Sequence, residues 1–116
     1  MALQRYADRC NARRVLLGVA LERVVAALKL EPEVRAAFVF GSFATDRVGP
    51  LSDLDVLVVR DTTLGIVDRV ADLKLAARGP VPLDLIVVTP EELETTFGRS
   101  SFGATILRTG QLIYAA

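Results

Sequence analysis

Apolar residues recur mostly every three or four positions between Asn11 and Leu30: Val15, Leu16, Val19, Leu21, Val24, Val25, Leu28 and Leu30, separated by Arg13, Arg14, Glu22, Arg23 and Lys29. This is the helical period and predicts a helix of about five turns. Pro32 ends it, because the residue before a proline disfavours helical backbone. Ala36 to Phe40 is a short apolar run closed by Gly41-Ser42 and reads as a buried strand. Phe43 to Ser52 is small, polar and broken by Gly49-Pro50, the mark of a loop or a short helical turn. Leu54 to Val59 is a second β-prone run.

Asp61-Thr62-Thr63 offers helix-starting oxygens, and Leu64, Val67, Val70, Ala71 and Leu75 form an apolar stripe opposed by Asp68, Arg69, Asp72 and Arg78. Gly79-Pro80 ends that amphipathic helix. Leu83 to Val88 is a third strand. Thr89-Pro90-Glu91-Glu92 then reads as a capping box, with Thr as N-cap, Pro in the first helical position and Glu in the third. Gly98 closes this short helix, Ser100 to Arg108 makes another, and Gln111 to Tyr114 makes a small edge strand. There are too few helices to cover both faces of a wide parallel sheet, so the expected fold is α+β: a mixed sheet with helices mainly on one face.

At 116 residues the chain buries roughly two-thirds of its unfolded surface, which suits one domain spanning residues 1–116. The 14 Lys and Arg balance the 14 Asp and Glu, so net charge implies neither nucleic acid nor an anionic membrane as partner. No uncharged run approaches the ~18 to 20 residues of a membrane span, and the Arg-rich N-terminus does not read as a secretory signal. A cytoplasmic location is expected. The hydrophobic fraction of 52% is high for a small chain and points to partly exposed apolar surface, hence to a homo- or hetero-oligomer.

The chain has no His and one Cys, Cys10. Ser-His-Asp and Cys-His catalysis, His-ligated zinc and four-cysteine zinc are excluded, and any metal must be held by oxygen. Cys10 reads as a small buried hydrophobe.

The informative block is Gly41-Ser42, ten residues, then Asp53-Leu54-Asp55 at the head of the second strand. Alternation along a strand puts Asp53 and Asp55 on one face. Only Arg47 and Arg60 lie nearby to neutralise them. Such a pair serves a divalent cation or shares a proton, and the cation is the stronger reading. Asp84 lies inside an apolar strand, where a charge needs a partner; it joins the same site if the strands are neighbours, or else pairs with Arg60 or Arg78. An all-carboxylate site suits Mg2+ with substrate phosphates, and Gly41-Ser42 offers close backbone approach, an N–H and a hydroxyl to a phosphate.

These residues resemble the minimal nucleotidyltransferases of the DNA polymerase β-like superfamily. The likeness extends to the apolar strand before Gly41, to Ser52 just before the acidic pair, and to the closing segment Ile106 to Tyr114. The resemblance implies that Asp53 and Asp55 bind Mg2+, two ions in all. It also implies that Asp84 completes the metal site and helps deprotonate an acceptor hydroxyl, and that Gly41 and Ser42 hold the triphosphate of ATP. Many members carry basic residues soon after Gly-Ser. Here Phe43, Ala44, Thr45 and Asp46 come first, leaving triphosphate binding to Arg47 and backbone donors. The Gly-Ser-x10-Asp-x-Asp spacing is also that of antitoxin members, which pair with HEPN-domain toxins and transfer AMP from ATP to a toxin tyrosine. Two other functions stay open: a regulatory subunit that neutralises its partner by binding alone, and a small-molecule nucleotidyltransferase such as an antibiotic-modifying enzyme.

Overall fold

The structure, a computed structural model, describes residues 1–116. Helix α1 (Ala2–Leu28) starts nine residues before the apolar periodicity does. The reason is that periodicity reports burial, not helicity. Residues 1–9 are all exposed, and Cys10 is the first buried side chain, followed by Leu17, Ala20, Val24, Ala27 and Leu28. The early turns hold through good helix formers and a bond from Gln4 to Asp8 one turn on. Leu30, expected in the apolar stripe, lies beyond the helix and is exposed, as are Val15, Leu16 and Val19.

Strand β1 (Val34–Phe40) runs into a single turn of helix, α2 (Gly41–Ala44). After a loop come β2 (Leu54–Arg60), α3 (Ile66–Ala76) and β3 (Leu83–Val88). The capping box forms as the sequence predicts. Thr89 Oγ1 accepts from the Glu92 N–H, and Glu92 Oε1 accepts from the Thr89 N–H, opening α4 (Pro90–Glu92). A π-helical turn (Leu93–Phe97), α5 (Ser101–Thr109) and β4 (Gln111–Ala115) complete the chain.

The sheet has the order β3-β2-β1-β4, with β1 antiparallel to both neighbours and β2 parallel to β3. The larger core lies on the face that α1 and α3 cover, with Leu17, Val24, Val39, Leu54, Val56, Val58 and Leu73 among its buried residues. The other face is not bare, as helices on one side would leave it. Phe40, Leu57, Val59 and Val88 meet Ile106 of α5, and Leu93 and Phe97 pack beside them.

Helix α3 departs most from its pattern. Its N-cap is Gly65, not the Asp61–Thr63 oxygens: Asp61 is taken by Arg35, and Thr62 accepts from the Leu64 N–H. Leu73 and Arg69 are its buried residues, while Val67 is 78% exposed and Leu75 66%. Polar anchors set this rotation. Arg69 reaches Glu92 at 2.6 Å and the Leu64 carbonyl, and Arg60 grips Asp72 with two hydrogen bonds of 3.0 and 2.9 Å. Arg60 is 3% exposed, also bonds Glu33 at 2.7 Å, and leaves its Nε without a partner.

Candidate active site

Three strand termini converge at one end of the sheet: the end of β1 and the starts of β2 and β3. Phe40 is the cross-strand partner of Asp55, and Asp55 stands in register with Asp84 of β3. Parallel neighbours in register point their side chains to the same face. The Asp55 and Asp84 side chains therefore come within hydrogen-bonding reach of each other, while Asp53, two residues earlier, adds its charge from farther off.

Asp55 is half-buried and its carboxyl is pushed up to about 6, first by burial, then by the hydrogen bond to Asp84, then by the charges of Asp84 and Asp53. None of the three carboxylates is in an ion pair. Arg60, at the far end of β2, belongs to Glu33 and Asp72 and does not serve the site, which corrects its assignment as a neutralising cation or as Asp84's partner. Asp84 itself is exposed on an edge strand, so the cost of burying a charge in an apolar strand does not arise.

Gly41 closes over Asp55. Its φ is +73°, and a Cβ built on it would lie 2.2 Å from Asp55 Oδ2. Only glycine fits both the backbone angle and the contact. Ser42 follows, half-buried, and accepts the Arg47 N–H on its carbonyl at 2.8 Å, folding Arg47 back toward the turn. Arg47 is exposed and lines a cleft with Gly41, without touching a carboxylate.

Helix α1 and β4 brace this loop, which the sequence pattern did not reveal. Arg13 Nε donates to the Ser52 carbonyl at 2.8 Å, Arg14 pairs with Asp46 at 3.1 Å, and Gln111 donates to the Ala44 carbonyl at 2.8 Å. Asp46 holds a positive φ of 55°. Ser52 accepts the Gly49 N–H, closing the turn before Asp53. A groove of about 740 Å³ between α1 and the Gly49–Ser52 turn is larger than the cleft beside Gly41 but contains no carboxylate.

A paired, uncompensated set of oxygen donors on adjacent strands fits a hard divalent cation. No three acidic or thiol side chains stand together as a finished ligand shell, so Asp53 would have to draw in toward the Asp55–Asp84 pair. At neutral pH that pair accumulates negative charge which only a cation or a proton can offset.

A mixed four-stranded sheet of this order with flanking helices is the nucleotidyltransferase fold. The family model described as polymerase beta, nucleotidyltransferase matches residues 22–116, and the chain belongs to that family. No curated protein matches it. Among solved structures, a candidate nucleotidyltransferase from Sulfolobus solfataricus superimposes with a TM-score of 0.65 at 22% identity, over 92% of this chain and 87% of that one. A toxin–antitoxin structure with AMP-PNP gives 0.59 at 20% identity, over 83% of this chain and 73% of that one. A variant of the toxin–antitoxin pair MntA-HpeT, in which two aspartates spaced by one residue are changed to glutamate, gives 0.56 at 18% identity, over 83% and 73%. Similarities at these identities establish a shared fold. No helix here is long and apolar enough to cross a membrane.

Proposed function

We propose that this chain is a Mg2+-dependent nucleotidyltransferase that moves AMP from ATP onto a hydroxyl of a partner protein, acting as the antitoxin of a toxin–antitoxin pair whose toxin is of the HEPN type. The observation that carries the proposal is the in-register pairing of Asp55 with Asp84 beneath Gly41, with the charge of Asp53 acting on Asp55 from just before the strand. The toxin–antitoxin neighbours support the choice of partner, and the two aspartates substituted in one of them have the spacing of Asp53 and Asp55.

Asp53 and Asp55 would hold the Mg2+, which when bound supplies positive charge for the phosphate oxygens and the leaving pyrophosphate. Gly41 would admit the triphosphate close to the backbone, with the Ser42 hydroxyl and Arg47 as donors to its oxygens. Asp84, exposed on the β3 edge, would orient the acceptor hydroxyl and take its proton. The acceptor oxygen then bonds to the α-phosphorus, the bond from that phosphorus to the bridging oxygen breaks, and pyrophosphate leaves with the electron pair.

One observation favours a second reading, an antitoxin that works by masking its partner. No basic residue lies between Ser42 and Arg47, and Asp46 in that stretch is tied to Arg14. Labelling separates the two. The protein is incubated with Mg2+ and ATP labelled at the α-phosphate in lysate of its host, beside Asp53→Asn and Asp55→Asn. A labelled protein band lost in both variants supports transfer. Label in a small-molecule fraction would redirect the acceptor. Absence of aspartate-dependent label from folded protein, with neutralisation intact in Asp53→Asn, would leave the masking function.

A further inference from the structure

We propose that the cleft between α2 and α5 is the base pocket of the nucleotide, with Phe102 as its stacking platform and threonine hydroxyls that select a base bearing an exocyclic amino group. The inference rests on the nucleotidyl-transfer reading above and assigns the part of the substrate which that reading leaves unplaced.

The cleft measures about 520 Å³, within the range of small-molecule sites. Gly41, the residue that covers Asp55, and Phe40 of β1 line it, and no residue of β3 does. Phe40 and Ile106 form its floor, Thr45 and Arg47 one wall, and Phe102, Thr105 and Thr109 the other. Asp84 lies on the opposite side of Asp55, on β3. A nucleotide whose phosphates sit at Gly41 and Arg47, which line this cleft, has Phe102 within the same cleft to receive its base, leaving the β3 side of Asp55 to the acceptor.

Phe102 is 57% exposed, an unfavourable place for a large apolar ring that packs against nothing on one side. It is nevertheless held firmly. Its ring meets Phe40 edge-to-face at 6.1 Å and 85°, and Phe97 at 6.2 Å and 77°. The next residue, Gly103, lies so close to the Phe97 carbonyl that a Cβ would fall 1.9 Å from its oxygen, and the Ser100 hydroxyl caps the Gly103 N–H at 3.0 Å. Helix α5 is thereby locked against the π-helical turn and presents a fixed aromatic face to the cleft. Base–aromatic stacking is the use such a face serves.

The rim hydroxyls add a preference. Thr45, Thr105 and Thr109 each donate to a carbonyl one turn back in their own segment, at 3.1, 2.9 and 2.8 Å. With the proton so placed, each hydroxyl offers the cleft only lone pairs. Such a rim accepts from an exocyclic amino group and gives nothing to a carbonyl at the same ring position, so adenine is favoured over hypoxanthine.

The test compares binding of ATP, ITP and inorganic tripolyphosphate, each with Mg2+, to the intact protein and to Phe102→Leu, Phe102→Tyr and Thr105→Val by titration calorimetry. The expected result is that Phe102→Leu weakens ATP by about tenfold or more, leaving tripolyphosphate within twofold, while Phe102→Tyr retains ATP binding. Thr105→Val narrows the preference for ATP over ITP. Melting curves confirm that each variant is folded, and Phe102→Leu keeps apolar volume against Phe40 for that purpose. Equal loss of ATP and tripolyphosphate in Phe102→Leu, or no loss of either, overturns the base pocket while nucleotide binding stands. Failure of the unaltered protein to bind either ligand overturns the nucleotide reading and the pocket with it.

Discussion

Gly41 and Asp55 occupy each other's space: a Cβ on the glycine would stand 2.2 Å from the Asp55 carboxylate oxygen, and the glycine's φ of +73° is itself one that other residues avoid. Two separate costs thus fall on any substitution at Gly41. Gly41→Ala should destabilise the protein by about 2–3 kcal/mol in urea unfolding, from left-handed backbone strain and the displaced carboxylate together. In an Asp55→Ala background the second cost disappears, and the same change should cost only about 1–2 kcal/mol. Equal penalties in the two backgrounds would show that Gly41 does not press on Asp55.

Asp55 should make the metal-free protein less stable as pH rises. Its folded pKa, about 6, lies above the ordinary carboxylate range, so the native state holds the proton more tightly than the unfolded chain. The resulting stabilisation is present at acid pH and is lost as pH climbs from about 4 to about 6. Asp55→Asn should therefore melt higher than the unaltered protein at pH 7.5 with metal chelated, and equal to it near pH 4. Millimolar Mg2+ should raise the melting temperature of the unaltered protein at pH 7.5 and leave Asp55→Asn unmoved. A variant that melts lower at pH 7.5 would contradict this account of the carboxylate pair.

The opposite slope belongs to Arg60 and its partners. Hydrogen bonds from Arg60 hold Asp72 and Glu33 below the usual carboxylate range, so their contribution is complete above that range and lost as pH falls through the lowered values. Arg60→Ala should cost about 3 kcal/mol, the lower end of the range for breaking a buried pair, because the carboxylates left behind reach water. It should also remove the acid-side loss of stability due to Asp72 and Glu33. A chemical-denaturation series from pH 2.5 to 7 reads both effects, and an unchanged acid limb would refute the assignment.

Gly103→Ala should damage the cleft from a distance. A Cβ there would meet the Phe97 carbonyl at 1.9 Å and backbone cannot yield as a side chain can, so α5 must shift away from the π-helical turn. The expected outcome is a loss of about 2–3 kcal/mol in stability, typical of overpacking, with weaker ATP binding as Phe102 moves. Unaltered melting would mean that α5 is more loosely seated than its contacts imply.

Elements whose signal is local were legible in the chain. β3 has the bounds that its apolar run predicts, and Thr89-Pro90-Glu91-Glu92 caps α4 as read, because both depend only on residues within a few positions. The Asp-x-Asp spacing pointed to the head of β2, where the structure brings Asp55 beside Asp84, whereas Asp53 lies just before the strand and stands farther off. Where burial was inferred from periodicity the reading held only in part, for Val24 and Leu28 but not for Val15, Leu16 or Leu30. The first turns of α1 are helical with no buried face, and α3 leaves Val67 and Leu75 outside, with Val70 on the core, because Arg60 and Arg69 fix its rotation through long-range bonds.

The sequence alone thus determined the α+β class, the absence of histidine and the position of Asp55 at the head of β2, all of which follow from residue type and short-range geometry. Tertiary structure decided the rest. Whether Asp84 meets Asp55 depends on β3 lying parallel and in register beside β2, a pairing across about thirty residues of chain. Phe102 becomes a wall of the cleft only because α5 crosses the second face of the sheet and stacks on Phe40. Neither fact has a local signature, since both arise from the free energy of packing residues that the chain itself keeps far apart.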